Sequence, residues 1–358
     1  MADNRLSKSL EEQFINNDPQ YNFGGWVPPV IFDIPISPLW VAAATPTNPL
    51  LYSTDGITWS ASTNGSSIFT SAGLAIGWNG SLWVAGGSGT NRLAYSTDGI
   101  TWSGSTNGNS IFTNSGLCVA WNGSIWVAGG QGTNTLAYST DGITWSASTN
   151  GNSIFTNSGL CVAWNGSIWV AGGSGTNRLA YSYDGITWSA STNGNSIFTN
   201  SGRGVAWNGS LWVAGGNGTN RLAYSYDGIT WSASTNGNSI FSLLVKPVVW
   251  NGSLWVAGGQ GTNTLAYSTD GITWSASTNG NSIFITSGST NAEVDGIAWN
   301  GSLWVAIGYK NLSGSTNSPA GAYSYDGINW FSSSNFSTFG SLGVSVASKP
   351  APNLYPPR

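Results

Sequence analysis

The segment TNSGLCVAWNGSIWVAGGQGTNTLAYSTDGITWSASTNGNSIF, Thr113 to Phe155, is followed at once by a second 43-residue copy, Thr156 to Phe198. The copies differ at three positions: Gln131 becomes Ser174, Thr135 becomes Arg178 and Thr140 becomes Tyr183. A fixed period of this length implies stacked units that share one local fold, so it limits the architecture before any single motif does. A WVA-type core recurs at Trp40, Trp83, Trp126, Trp169, Trp212, Trp255 and Trp304, and an Asp-Gly pair at Asp55, Asp98, Asp141, Asp184, Asp227, Asp270 and Asp326. Both counts give seven units. The last unit carries two insertions, near Thr286–Glu293 and near Tyr309–Ala320.

One unit reads as four short strands: LCVAWNG, SIWVAGG, TLAYSTDG and ITWSAS. Asn122-Gly123 and Asp141-Gly142 suit two-residue type I′ hairpin turns, whose central positions need positive φ. The strands are apolar on both faces, as sheets covered from both sides require. Twenty of the 21 Trp residues occupy three repeated positions, leaving only Trp26 outside them, and large flat rings suit the gap between neighbouring sheets. The fold class expected is all-β, a seven-bladed β-propeller of near-identical four-stranded blades. The first unit starts at PLWVAA without its own inner strand, and LGVSVASKP (Leu342–Pro350) reads as a degenerate copy of it. A C-terminal strand pairing beside residues 39–44 would complete the first blade and remove the open ends of the ring. The expected domains are an arm or interaction segment at 1–37, the propeller at 38–350 and a tail at 351–358.

Composition excludes much chemistry. Charged residues are 7% of the chain, net charge is −4 and His is absent. A chain with no basic face has little to offer phosphates, so no nucleic acid partner is expected. No apolar run approaches the roughly 20 residues of a membrane span, so no membrane partner is expected. The N-terminus lacks the apolar core of a signal peptide. Without His, neither a Ser–His–Asp triad nor a His/Cys zinc site can form, and no metal, cofactor or catalytic residue is assigned. Cys118 and Cys161 sit at equivalent positions, which suits buried free thiols better than a disulfide. GGSGTN feeds a strand instead of a helix, so it is no phosphate loop. The six WNGS sequons read as hairpin turns.

YSTDGITWS resembles the Asp-box, or BNR-type, repeat: Ser139, Asp141, Gly142, Thr144 and Trp145 match in order, one residue shorter between Asp and Thr. The match recurs in every unit, with Asn329 in place of Thr in the last. The resemblance implies propeller sheets with the Asp in the turn between third and fourth strands, its carboxylate accepting backbone N–H bonds above the Trp. AWNGSLWVAGG is similar to segments of kelch-like propellers, and the near-identical units resemble repeat-rich propeller proteins of giant DNA viruses. That last likeness, with the missing signal peptide, favours a cytoplasmic or virion-associated location. The sialidases of the Asp-box family use three arginines, a Tyr–Glu nucleophile pair and an acidic general acid. Arg92, Arg178 and Arg221 share one repeated position here, so symmetry spreads them round the ring, and no enzyme activity is expected. Glu293 and Asp295 read as solvated charges on the insertion of the last unit.

The expected short NG and DG turns share one face, while GGQGTNT and STNGNSIFTNSG lie on the other and offer neutral donors and acceptors. The ligand-binding candidates there are Asn91, Arg92, Asn134, Asn177, Arg178, Asn220, Arg221 and Asn263. Arg203 and Lys246, near the starts of inner strands, would add positive charge close to the axis. Two readings follow. One is a non-enzymatic binding module, lectin-like and multivalent through repeated loops, with a glycan or protein partner. The other is a structural or scaffolding protein, virion-associated, with no small-molecule ligand. A monomer is favoured.

Overall fold

The third repeat shows how the sequence folds. Its inner strand, Ser115–Trp121, pairs antiparallel with Trp126–Gln131, which pairs with Leu136–Ser139 and then with the two-residue Ser146–Ala147. The computed structural model describes residues 39–285, 292–312, 316–333, 336 and 341–349. The expected arm at 1–37 and tail at 351–358 lie outside the described residues. The same four-stranded unit forms seven times, and each inner strand lies beside the next until the ring is closed. It is a seven-bladed β-propeller.

Neighbouring residues of one strand serve different interfaces. Trp126 and Ala128 pack with Val84, Leu93 and Phe112 of the preceding unit, whereas Val127 packs with Phe155, Trp169 and Ala171 toward the following one. That two-sided burial is why the strands lack polar alternation. Seven such clusters form among the described residues, one for each junction between blades.

The turns differ from the expected type I′ hairpins. Asn279 is the one non-glycine with positive φ among the described residues, so neither Asn122 nor Asp141 adopts the required conformation. The inner hairpin is instead closed by Asn122–Ile125, in which Asn122 Oδ1 accepts the Ser124 and Ile125 N–H groups at 2.8 and 2.7 Å. Asp141 does the same in a longer turn: its Oδ1 accepts from Ile143 N, Thr144 N and the Ser139 hydroxyl at 2.8, 2.7 and 2.9 Å. A side chain that mimics backbone closes these loops without left-handed Asn or Asp. In each turn it is the glycine that takes positive φ, Gly123 at 99° and Gly142 at 74°, and a Cβ on Gly142 would come within 2.9 Å of the Trp126 ring. Partial burial works to raise the Asp141 pKa, but the N–H bonds from Thr144 and Ile143 and the Ser139 hydroxyl outweigh it and hold the carboxyl below its ordinary value.

Between blades the chain forms a one-turn helix, such as Gly151–Ile154, where an irregular loop was expected. Asn150, just before it, donates Nδ2 to Trp188 O at 2.7 Å and accepts from Trp188 N at 2.9 Å. The amide thereby acts as one residue of an extra strand, joining one blade to the next. Asn64, Asn107, Asn193 and Asn236 repeat the clamp. After blade 6 a backbone bond from Trp330 N to Thr278 O takes its place.

Closure follows the expected plan. Ser341–Ser348 pairs antiparallel with Trp40–Pro46, from Trp40 opposite Ser348 to Pro46 opposite Ser341. The Ser348 hydroxyl donates to Trp299 O in blade 7 at 3.2 Å, and Lys349 Nζ lies 4.4 Å from the Trp78 ring centroid in blade 2. The closing strand is thus tied to both neighbours.

Two outcomes are expected. Removing residues 341–358 should lower the urea midpoint of the entire ring in one transition; a second transition confined to blade 1 would contradict this. The seven turn aspartates titrate below 3.8 when folded, with Asp326 at about 2. Their contribution to stability is complete above that range and is lost as pH falls through it. Thermal melts should therefore drop steeply between about pH 4 and pH 2, and a flat profile would count against the turns as stabilising elements.

Candidate functional site

The loop residues singled out from the sequence are engaged with the ring itself. Asn91, Asn134, Asn177, Asn220 and Asn263 each donate Nδ2 to the carbonyl that ends the preceding one-turn helix, at 2.8–3.0 Å. Arg92 donates Nε and Nη2 to Thr113 O and Nη1 to Gly89 O. Arg178 grips Thr199 O and Gly175 O in the same way, and Arg221 grips Ser242 O and Gly218 O. These side chains are spread over blades 2 to 6, with at most one asparagine and one arginine to a blade, and do not converge.

Convergence occurs at the axis. Each inner strand keeps register with its partner except for a bulge, between Gly116 and Cys118 in blade 3 and between Gly202 and Gly204 in blade 5. The extra residue of a bulge leaves the ladder, which frees its side chain to be re-aimed. The bulged positions are Leu74, Leu117, Leu160, Arg203, Asp295 and Val344, and in blade 6 the pair Lys246-Pro247, whose proline has no N–H to offer. All of them line one central cavity of about 540 Å³. At the bulged positions blades 1 to 4 present hydrocarbon to it, and blades 5 to 7 present charge.

The charged sector is tightly built. Lys246 Nζ lies 2.5 Å from Asp295 Oδ1 and 2.8 Å from Glu293 Oε1. The Tyr309 hydroxyl donates to Glu293 Oε2 at 2.9 Å. Arg203 Nε donates to the Ser201 hydroxyl at 2.9 Å, and that hydroxyl donates to Asn217 Oδ1 at 2.6 Å. Ser201–Asn217 and Glu293–Tyr309 are the same cross-strand pair in different blades.

Burial pushes the Asp295 carboxyl up and Glu293 adds to this, while the Lys246 ammonium and Arg203 oppose it; the result is about 7. Burial lowers Lys246, but its two carboxylates more than reverse that and hold it charged. Tyr309 is pushed up by burial and by the adjoining Glu293 carboxylate. Cys118 and Cys161 are free thiols whose burial raises both, Cys161 to about 12.

Two expectations are corrected here. Glu293 and Asp295 lie on the inner strand Glu293–Trp299, not on the insertion loop, and are buried around Lys246 because the outward bulge and the register place them there. Lys246 brings no net positive charge to the axis, since two carboxylates surround it. The signal for this site was present in one repeat column, which reads Leu, Leu, Leu, Arg, Lys, Asp, Val once the insertions are aligned.

No protein-family model matches this chain, and no curated protein matches it in sequence. Its structure is similar to the GH74 enzyme of Niastella koreensis, with TM-score 0.53 and 17% identity over 79% of this chain and 43% of that one. It is also similar to YCF48 from Cyanidioschyzon merolae, with TM-score 0.50 and 15% identity over 79% of this chain and 96% of that one. The shared feature is the propeller fold. This chain spans less than half the length of the GH74 enzyme.

Removing one partner from a buried ion cluster leaves its counter-charges stranded, whereas replacing the whole cluster with apolar groups does not. Lys246→Leu is expected to cost about 3 kcal/mol in urea unfolding, the partial exposure of Lys246 keeping it at the low end. Adding Glu293→Ser and Asp295→Leu, the residue types other blades carry, should restore stability to within about 1 kcal/mol. Equal stability of Lys246→Leu and wild type would show that the cluster is solvated.

Proposed function

We propose that this propeller is a non-catalytic binding module whose ligand occupies the central channel at the Arg203–Lys246–Glu293–Asp295 sector. One observation carries the reading. Apart from the turn aspartates, the only acidic residues in 39–349 are Glu293 and Asp295, and they meet two of its seven basic residues, Lys246 and Arg203, on three consecutive inner strands. Such residues are costly to bury, and the ring does not need them, since blades 2 to 4 carry leucine at the same place. A cavity of this size, apolar on one wall with a few convergent polar groups, fits a small-molecule site.

Binding suits these groups better than catalysis. Glycoside hydrolysis by a carboxyl pair needs one acid and one base free to face the scissile bond. Here both carboxylates hold the same ammonium, and the nearby thiols are pushed toward the protonated, unreactive form. The Ser–Asp turns, with carboxylate on backbone N–H groups, support kinship with Asp-box repeats as a matter of architecture.

The test compares wild type with a ring carrying Arg203→Leu, Lys246→Leu, Glu293→Ser and Asp295→Leu, which removes the charge and keeps the fold. In a thermal-shift screen of small organic acids, amines, neutral sugars and short peptides, wild type is expected to give hits that this variant loses. No hit with wild type, or hits that persist in the variant, would reject the channel as the site.

A further inference from the structure

The four arginines among the described residues divide into two kinds. Arg92, Arg178 and Arg221 place Nε and both terminal nitrogens on backbone carbonyls. Arg203 spends only Nε, on the Ser201 hydroxyl, and its two terminal nitrogens have no partner among the described residues. The Ser201 hydroxyl is itself fixed by Asn217, so the guanidinium is held by a short chain of bonds and lines the channel half-buried. Lys246, the other cation of the channel, is already matched by two carboxylates. Arg203 is therefore the one channel cation with an unspent donor fork, and such a fork matches the two oxygens of a carboxylate. The adjoining inner strand carries Leu160, and Leu117 and Leu74 continue the apolar wall.

Resting on the channel reading above, we infer that the ligand is a monocarboxylate with an apolar body, its carboxylate on Arg203 and its hydrocarbon against Leu160, Leu117 and Leu74. Asp295 sets the pH response. The charged and titratable groups that face it are Lys246 from blade 6, Arg203 from blade 5, and Glu293 and Tyr309 of its own blade; Val344 and Ser345 of the closing strand bring none. A second carboxylate on Arg203 favours protonation of Asp295, so binding takes up a proton and strengthens as pH falls through about 7.

The experiment is calorimetric titration of the full chain with hexanoate, hexanamide and hexylammonium at pH 6 and pH 8. Hexanoate should bind once per ring, at least about tenfold tighter than either analogue and about tenfold tighter at pH 6 than at pH 8. Arg203→Leu should abolish that preference, and Arg203→Lys, which keeps the charge and loses the fork, should weaken hexanoate several-fold; unchanged thermal melts verify that both variants fold. Hexanamide or hexylammonium equalling hexanoate would overturn the monocarboxylate assignment, and loss of their binding in the four-residue variant would leave the channel reading standing. Hexanoate binding that survives Arg203→Leu unchanged would also overturn it. Failure of all three probes would overturn it too, and the wider screen would then decide the channel reading separately.

Discussion

Everything in this ring depends on the burial of two indoles between each pair of blades, such as Trp126 with Trp145. Trp40, Trp83, Trp126, Trp169, Trp212, Trp255 and Trp304 are fully buried at those junctions, each among aliphatic residues of two units. Deleting such a ring from a core costs about 3–5 kcal/mol, a large part of a domain's net stability. The Asn clamps add direction to this non-directional packing. An amide paired with the backbone of the next blade fixes the distance and tilt at which the next sheet must stand.

The same packing accounts for the fidelity of the copies. In a closed ring each blade is the environment of two others, so a core substitution in one unit must fit residues contributed by its neighbour. A repeat that already fits itself needs no further adjustment, and Gly142 shows how narrow the fit is: its position sits against the Trp126 ring and Leu82 of the preceding blade. The axis is exempt. A bulged residue has left the ladder, and its side chain meets the channel instead of a neighbouring sheet, so Arg203, Lys246 and Asp295 stand where leucine stands elsewhere without disturbing any junction.

Legibility differed between the fold and the site for that reason. The period, the Trp positions and the degenerate strand Leu342–Pro350 are local patterns, and they led directly to seven blades and to the pairing beside Trp40. The turns were legible in residue choice and misread in geometry, because Asn and Asp can close a loop through their side chains as well as through positive φ. The loop-face asparagines and arginines were read as ligand-binding donors, since nothing in a sequence reports that a carbonyl of the preceding linker meets each asparagine and one of the following linker meets each arginine. Glu293 and Asp295 were read as loop charges because the insertion before them shifts the repeat, hiding their equivalence to Ser201 and Arg203.

The sequence by itself determined the number of blades, their strand content and the closure of the ring, because these follow from hydrophobic patterning and repetition, which are properties of neighbours along the chain. Only the tertiary structure decided which polar groups are spent and which are unspent. Arg178 and Arg203 are 25 positions apart in one chain and identical as letters. One faces the carbonyls of Thr199 and Gly175, and the other faces an open channel beside Asp295. That distinction is made by curvature that brings seven inner strands to a single axis, a contact no local stretch of residues contains.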